Sequence, residues 1–431
     1  MKILLVTSRY PWPPRRGDQM RAVQMLGLLS DEHAVTLLAP APGKNQPPPP
    51  RETPYRVELY RPGGGLAFLA GMARAVAERL PLQTGLFYQP DLGRRLRELA
   101  PLHDLGILQL VRLASHVDDF GATPIVVDLI DSLALNFAKR AEVDLPWLAP
   151  FLKMEARLLA DAERRLAERA KRLLVVCERD REEMIAGLPA DLAVKVAVVR
   201  LAVDERGDEG RSSDVPFEAS PPGPLSPNLV MTGNLGYFVN ADAVTWWLRD
   251  VWPQLHQTRP DVRLVVAGDR PSRALRRTVE KAGARLVESP RDLRAVIAQA
   301  TLSLAPMRCG SGVPIKILEA WSAGVPVLAS SWAVAGTSGR PGEDLIQVGQ
   351  HPGEWVTAVA DLLNDPAARH RLIESGRHRL ATDYSRDTVR RQLLEVIRAT
   401  APSKQIEEPS VQRAATGRPH RENDEADDRQ R

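Results

Sequence analysis

The 431-residue sequence is poor in cysteine and in net charge. Its two cysteines, Cys177 and Cys309, allow one pair at most and form no CxxC motif or Cys/His cluster. This usage excludes a disulfide framework, argues against structural zinc and fits a reducing compartment. The net charge of +4, from 58 basic and 54 acidic residues, is too small and too dispersed to indicate a nucleic-acid partner.

Long hydrophobic runs are also missing. No apolar stretch approaches the ~18–20 residues needed to cross a bilayer. The opening segment, MKILLVTSRYP, predicts a first strand rather than a signal peptide, so a cytoplasmic location is expected. Residues 66–88 combine an apolar face with Arg74 and Arg79. The pattern favours a core helix, and the alternative is peripheral contact with the inner face of the cytoplasmic membrane.

Short apolar runs and helical patterns alternate along the chain, which predicts an α/β fold with two doubly wound parallel sheets. Two proline-rich stretches, at 46–50 and 220–227, indicate a surface spacer and a domain boundary. We expect one Rossmann-like domain over 1–204, a linker over 205–227, a second Rossmann-like domain over 228–401 and a disordered charged tail over 402–431. Ligands bind at the carboxyl ends of such strands, so the site is expected in the cleft between the two domains.

The most informative stretch is 304–330, LAPMRCGSGVPIKILEAWSAGVPVLAS. A predicted strand is followed by a loop with Gly310, Ser311 and Gly312, and Pro314 marks the first turn of a helix. Such a loop exposes backbone N–H groups at a helix N-terminus, where a diphosphate is favoured. An ordinary turn is the alternative interpretation.

Charged residues on both sides of this loop strengthen the prediction of a phosphate site. Arg308 and Lys316 add positive charge. Glu319, three residues after Lys316, can lie on the same helix face and accept hydrogen bonds from a ribose diol. The alternative is a solvated lysine–glutamate pair, which the complete order of strand, loop, proline, lysine and glutamate disfavours.

From Lys316 onward the string resembles the signature of GT-B glycosyltransferases of group 1, family 4 type, roughly Lys-x-x-Glu-Ala-x-Ala-x-Gly-x-Pro-Val-Val-Ala. Matching residue types stand in the same order at Lys316, Glu319, Ala320, Ala323, Gly324, Pro326, Val327 and Ala329. The resemblance spans residues 1–400 and points to bacterial exopolysaccharide and exosortase-associated sugar transferases.

The resemblance implies a function and a separate role for each of the two domains. A sugar would move from a nucleotide-sugar donor, held by the second domain, to a saccharide or lipid-linked saccharide on the acceptor side, the first domain. The product would serve polysaccharide or glycoconjugate synthesis. Transfer would be retaining and independent of metal, with the donor as co-substrate and no further cofactor. Glu319 would hold the donor ribose.

Two departures from the family pattern shift roles onto other residues. Ser311 stands where the family often has a second glutamate, and the Gly-Arg-x5-Lys-Gly loop is replaced by Gly233 and Asn234 with Asn240 near the expected lysine. A diphosphate still needs neutralising in a partly dry cleft. We therefore expect Arg308 and Lys316 to do so and to stabilise the leaving group, with Gly233, Asn234 and the 310–312 loop also contacting the donor.

The first loop of the N-terminal domain matches one glycine of the family's first loop at Gly17, which implies contact with the donor phosphate. Arg16, Asp18 and Arg21 are candidate acceptor ligands. Arg16 and Arg21, together with Arg9, either bind a phosphate or form a solvated basic edge.

A candidate catalytic carboxylate follows a buried strand near Asp128. Strand alternation places Asp128 inside the fold and Asp131 at the cleft mouth, where relatives often carry a histidine. Asp131 can contact the sugar, orient the acceptor or take its proton. The alternative is a helix N-cap at Asp131 or Ser132. No Asp-x-Asp triplet occurs, so no metal is predicted.

Other polar and aromatic residues are expected to be structural. Trp246, Trp247 and Trp252 are expected in the core. Glu155 and Glu163 are expected to face solvent or an interdomain partner, and His103 and His116 to lie at the surface.

Three alternative functions can be weighed. A nucleotide-sugar epimerase shares the architecture, and a degenerate transferase-like binding partner would explain the missing charges. A nicotinamide dehydrogenase is disfavoured because the first loop lacks GxGxxG.

Overall fold

A computed structural model describes residues 1–14, 16–203 and 227–400. The linker and tail predicted from the sequence, except Pro227, lie outside the described residues.

The first half of the chain forms one parallel sheet with the strand order β3-β2-β1-β4-β5-β6-β7. Helices cover both faces, which is why its strands are nearly continuous apolar runs. The strands are β1 (Lys2–Val6), β2 (Ala34–Pro40), β3 (Arg56–Tyr60), β4 (Leu105–Gln109), β5 (Ile125–Ile130), β6 (Arg172–Val175) and β7 (Val196–Val198).

The helices of this half connect successive strands. They are α1 (Gly17–Leu29), α2 (Gly65–Ala77), α3 (Leu82–Leu86), α4 (Pro90–Leu99), α5 (Leu133–Val143), α6 (Ala149–Arg169), α7 (Glu178–Ala186) and α8 (Ala190–Ala193), with 3-10 turns at Ala100–Leu102, Val111–Phe120 and Pro146–Leu148.

The second half repeats the design in a six-stranded parallel sheet of order β10-β9-β8-β11-β12-β13. The strands are β8 (Asn228–Thr232), β9 (Arg263–Gly268), β10 (Arg285–Glu288), β11 (Leu302–Ala305), β12 (Val327–Ser330) and β13 (Ile346–Val348).

The helices of the second half include one continuous helical stretch, in which a π-helical turn at Trp247–Val251 joins two α-helices. The α-helices are α9 (Phe238–Trp246), α10 (Trp252–Thr258), α11 (Arg273–Lys281), α12 (Leu293–Ala298), α13 (Ile315–Ala323), α14 (Ser331–Ala335), α15 (Pro352–Asn364), α16 (Pro366–Asp383) and α17 (Arg386–Thr400).

In both sheets the strand order runs outward in two directions from the first strand. A crevice therefore opens between β1 and β4, and another between β8 and β11, at the carboxyl ends of the strands. The loops after these strands face the cleft, as the alternating pattern predicts. The two doubly wound sheets confirm the expected fold class.

The last helix, α17, packs on the first half rather than on the second. Val389, Leu393, Leu394 and Ile397 lie in one apolar cluster with Leu5 and its neighbours. The predicted range 228–401 therefore includes a helix that completes the core of the other half.

The segment over 66–88 does not form a core helix, so that interpretation is wrong. Leu66, Leu69 and Val76 of α2 are 85%, 61% and 71% exposed, and only Gly71 and Ala75 are buried. Among the described residues, no helix is long and apolar enough to span a bilayer.

The burial of the tryptophan, histidine and glutamate side chains agrees only in part with the expectations from the sequence. The three tryptophans of the 246–252 region are buried in the second-half core, as predicted. His103 is half-buried and contacts Leu99 O and Thr36 Oγ1, whereas His116 is buried rather than at the surface and pairs with Asp119. Glu155 is also buried and accepts from the backbone N–H of Gln83, because α3 covers this side of α6.

Candidate functional site

A direct contact between the two halves marks the centre of the cleft. Ser311 Oγ, in the loop before α13, donates a hydrogen bond to Asp131 Oδ2, after β5, over 2.6 Å. Ser132 supplies the N-cap of α5, since its side chain accepts from Leu135 N. The N-cap alternative thus holds for Ser132, and Asp131 is left to face the opposite half, where its catalytic role stays a prediction.

The electrostatic setting of Asp131 shifts its titration toward neutral pH. Burial, and then the charge of Asp180, raise the pKa of Asp131 to about 6, against the opposing effects of Ser311 and Arg112. A carboxyl group with a pKa near the working pH is suited to accept and return a proton.

Two further carboxylates, which the sequence analysis did not assign to the site, surround Ser132. Asp180 is fully buried and accepts from Ser132 N at 3.2 Å. Glu163, on α6, accepts from Ser132 Oγ at 3.0 Å and from Ala134 N at 3.2 Å. Burial raises the pKa of Glu163 to about 7. The expectation that Glu163 faces solvent or an interdomain partner is wrong, because α5 packs over this part of α6.

The neighbouring pair Arg179 and Asp180 holds the glycine loop of the other half. Asp180 Oδ2 accepts from Gly312 N at 2.8 Å, and Arg179 Nη2 donates to Gly312 O at 3.0 Å. Gly312 has φ +71, and a methyl group there would lie 3.2 Å from Asp131 Cβ. The left-handed backbone therefore favours glycine at this position, and a larger residue would also be tightly packed against Asp131. The Gly312 N–H, expected to face a diphosphate, is bonded to a carboxylate in this structure.

Asn136 and Tyr237 extend the contact between the halves. Asn136 Nδ2, on α5, donates to Tyr237 Oη at 2.7 Å and to Ser311 Oγ at 3.0 Å. Burial raises the pKa of Tyr237 to about 12, so it stays protonated at neutral pH. These bonds fix the serine that contacts Asp131.

Lys316 and Glu319 lie together on α13, as their spacing predicts. Lys316 is buried, its Nζ donates to Asn240 Oδ1 at 2.6 Å, and burial lowers its pKa to about 8. Burial also raises the pKa of the Glu319 carboxyl, while the charge of Lys316 lowers it. Asn240, the residue near the family's missing lysine, therefore orients the lysine that is present.

Arg308 is not available as a free cation. Its Nε donates to Asp242 Oδ2 at 3.0 Å and its Nη2 to Asp242 Oδ1, a bidentate pair at the side of α9. The prediction that Arg308 neutralises a diphosphate needs correction, because the carboxylate already balances its charge.

The other loop residues predicted for the donor build the walls of the cleft. Gly233 has φ +145, and a methyl group there would lie 2.8 Å from Asn240 Nδ2. The Asn234 side chain accepts from Gly236 N within its own turn. Gly310 has φ +110, and its carbonyl accepts from Trp332 Nε1. Their contact with a donor stays a prediction.

The first loop of the N-terminal half separates into an open and a buried part. Gly17 begins α1 with nothing within 4 Å of an added methyl group, and Arg16 beside it is exposed. Asp18 pairs with Arg9 and Arg112. Arg21 does not reach an acceptor, since it is fully buried.

The partners of Arg21 explain its burial. Its Nε donates to Asp128 Oδ2 at 3.2 Å and its Nη1 to Arg200 O at 2.7 Å. Asp128 lies inside the fold as strand alternation predicts, and it needs a buried cation there.

The rule that parallel strands end at one edge identifies most of the residues that the sequence analysis missed. Asp180 follows β6, Arg112 follows β4 and Arg270 follows β9, all at carboxyl ends. Glu163 carries no such signal, because it lies in mid-helix. Within the described ranges, no group of three histidine, cysteine or acidic residues is placed to hold a metal.

Comparison with known proteins agrees with this geometry. Residues 226–365 match the family model described as glycosyl transferases group 1. This range contains the glycine loop, Lys316 and Glu319. The match covers about a third of the chain, so the second half is similar to a group 1 glycosyltransferase domain.

Solved structures match both halves together. They include HepE of Anabaena in complex with UDP, at 14% identity and TM-score 0.62, covering 93% of this chain and 100% of that one. Sucrose-phosphate synthase of Thermosynechococcus elongatus matches at 15% identity and TM-score 0.69, over 93% and 98% of the two chains. A UDP-forming trehalose-phosphate synthase of Burkholderia xenovorans matches at 12% identity and TM-score 0.65, over 93% and 99%. At such identities the likeness establishes the GT-B fold.

The solved structures confirm the fold expected from the sequence, and the family match over residues 226–365 agrees with the expected enzyme class, a group 1 glycosyltransferase. A curated relative, the uncharacterized 44.6 kDa protein in the cps region of Klebsiella pneumoniae, is 29% identical over 127 residues. This match covers 28% of the present chain and spans about a third of the relative's length, 33%.

Proposed function

We propose that this protein transfers a sugar from a nucleotide-sugar donor to a saccharide or lipid-linked saccharide, with retention, without a metal or other cofactor, and in polysaccharide or glycoconjugate synthesis. The observation that carries the proposal is the 2.6 Å contact between Asp131 of one half and Ser311 in the group 1 loop of the other. It joins a carboxyl group of raised pKa to the domain that the family uses for its donor.

The chemistry divides between the two walls. The donor ribose would hydrogen-bond to Glu319, and Lys316, with a pKa of about 8, would carry positive charge at neutral pH beside the leaving diphosphate. Asp131 would contact the transferred sugar, orient the acceptor hydroxyl or take its proton. Closure of the halves, fixed by Arg179, Asp180 and Asn136, would exclude the water that hydrolyses the donor.

The location of the substrate on a membrane is a further part of the proposal. The exposed apolar side chains of α2 and the nearby Arg74 are compatible with contact to anionic lipid at the inner face of the cytoplasmic membrane. Reversing the charge of Arg74 and Arg79 and measuring co-sedimentation with anionic liposomes tests this contact. Unchanged binding would contradict it.

A panel of UDP-, GDP- and TDP-sugars identifies the donor, since a ligand that binds the folded state raises the unfolding temperature. Incubation of that donor with and without candidate acceptors then separates the functions. A transferase releases nucleotide faster with acceptor, an epimerase turns over the donor alone, and a non-catalytic binding partner binds without release.

Lys316→Ala tests the donor side of the site. Loss of a charge-assisted contact should weaken donor binding by about tenfold or more, measured by calorimetry. Arg276→Ala, at an exposed ion pair with Glu288, is the control. Unchanged donor affinity in the lysine variant would remove Lys316 from the site.

A further inference from the structure

Four arginines crowd the mouth of the cleft. Arg9 and Arg112 both donate to Asp18 Oδ2, Arg112 Nη1 at 3.5 Å, and both lie over the ring of Phe87, at 5.3 and 5.2 Å from its centroid. Two cations therefore share one carboxylate. Burial, and then the charge of Arg9, lower the pKa of Arg112.

Arg16 and Arg270 add two more guanidinium groups, one from each half. Both are exposed, and neither forms an ion pair within the part of the chain that the structure describes. Partial burial, and then the charges of Arg9 and Arg270, lower the pKa of Arg16, and Asp18 opposes them. The first loop of one half and the loop after β9 of the other thus place like charges within electrostatic range.

The backbone at Arg270 is unusual for a long side chain. Its φ is +55, in the left-handed region that favours glycine. A methyl group on Gly236, in the loop after β8, would lie 3.0 Å from Arg270 O. Tyr237, the next residue, contacts Asn136 of the first half, so Arg270 lies beside the loop that crosses the cleft. Residues in such sparsely populated backbone regions cluster at binding and active sites.

Arg308 and Lys316, the cations first expected to hold a diphosphate, have other partners in the structure. Arg308 is paired with Asp242, and Lys316 donates to Asn240. The carboxylates that oppose the repulsion among the four arginines are those of Asp18 and Asp131, which with a pKa of about 6 is mostly ionised at neutral pH, so positive charge remains in excess. A doubly charged oxyanion matches this excess, and guanidinium groups bind phosphate oxygens in pairs.

We propose that Arg9, Arg16, Arg112 and Arg270 form one anion site that spans the two halves and holds a phosphoryl group of a substrate. The inference rests on the proposed function, in which the phosphoryl group belongs either to the donor diphosphate or to a phosphorylated acceptor. The chemistry is the same for both sources, and binding experiments separate them.

The decisive variant is Arg270→Gly in the full chain. Glycine relieves the left-handed backbone, so the unfolding temperature should stay the same or rise, while the site loses a charge. Affinity for the bound anion should fall about tenfold or more. Arg270→Lys, which keeps the charge, should retain most of the affinity. Arg16→Gln should weaken binding similarly, and Arg276→Gln, at an exposed pair of the same half, should not.

Calorimetric titration uses three probes: UDP, inorganic pyrophosphate and inorganic phosphate. A site for the donor diphosphate predicts that UDP and pyrophosphate compete and that the arginine variants weaken both. A site for an acceptor phosphate predicts that inorganic phosphate still binds when UDP is saturating, and that the variants weaken phosphate but not UDP. Either result supports the site and identifies the source.

The inference is overturned if none of the probes binds the wild-type protein, or if Arg270→Gly and Arg16→Gln bind them as tightly as wild type. A different result would reject the proposed function. If the arginines bind the anion but no donor supports sugar transfer, the anion site stands and the transferase function is rejected. If sugar transfer occurs and these variants do not affect it, the function stands and the anion site is rejected.

Discussion

The two walls of the cleft bury charge in different ways. The first half pairs two of its acids with arginines, Arg21 with Asp128 and Arg179 with Asp180. Within the part of the chain that the structure describes, Asp131 and Glu163 have no cation at bonding distance. The second half buries a lysine, Lys316, whose direct hydrogen-bond partner among the described residues is a neutral amide, that of Asn240. Paired charges hold the scaffold in place, whereas unpaired charges have pKa values that move toward neutrality and are available for chemistry.

The strongest test of this contrast is Asp131→Asn. The amide keeps the size of the side chain but cannot exchange a proton, so the transfer rate should fall by about a hundredfold or more, while the folded structure persists. Rates with the donor found by thermal shift provide the measurement. Ser311→Ala, which removes only the neutral partner, should cost less. A rate within a few-fold of wild type in Asp131→Asn would break the distinction.

A paired buried charge should behave in the opposite manner, as Arg21→Ala would show. Truncation leaves Asp128 buried and unpaired, at a cost of about 3–5 kcal/mol in the free energy of unfolding. Urea denaturation measures the loss. Arg97→Ala breaks an exposed pair with Asp119 and should change stability by about 1 kcal/mol at most. Equal effects in the two variants would mean that burial does not govern these pairs.

Glu163 should make the protein less stable as pH rises. Its pKa is 4.5 for the ordinary group and about 7 in the folded protein. The unfolded chain therefore releases its proton first, and stability falls between these values by up to about 3 kcal/mol. Glu163→Gln should flatten this part of the curve, seen by comparing urea denaturation at pH 5 and pH 7.5. Glu142→Gln, at an exposed residue, should follow wild type. A slope shared by all three proteins would count against the prediction.

Lys316 should give the opposite slope at alkaline pH. Its pKa falls from 10.5 to about 8 on folding, so the folded protein releases its proton first. Stability should rise between these values by about 2–3 kcal/mol. Lys316→Met should lose that rise, with denaturation compared at pH 8 and pH 10. If the variant keeps the rise, other groups are responsible for it.

Local patterns predicted the parts of the molecule that local rules control. The order of strand, glycine loop and helix around Gly312 and Lys316 came from neighbouring residues, and alternation placed Asp128 inside and Asp131 at the cleft. Each of these features depends on backbone geometry within a few residues.

The errors concern contacts between distant segments. Arg21 was expected at the surface of the first loop, yet its partner Asp128 lies 107 positions away. Glu163 looks solvated on a helix rich in charge, and only the packing of α5 shows that it is buried. Arg308 was expected to be free because its partner Asp242 belongs to another helix. Periodicity within one element cannot identify such partners.

The placement of α17 limits how the two halves can move. The first half is described up to Val203, and the chain returns to it at α17; Val203 N donates to Tyr384 O, just before α17, at 2.8 Å. This bond joins the last described residue of the first half to the residues just before α17, so opening of the cleft should keep these two points together. A cut in the chain before α17 would also remove apolar side chains from the core of the first half, so neither half would be a self-contained fragment.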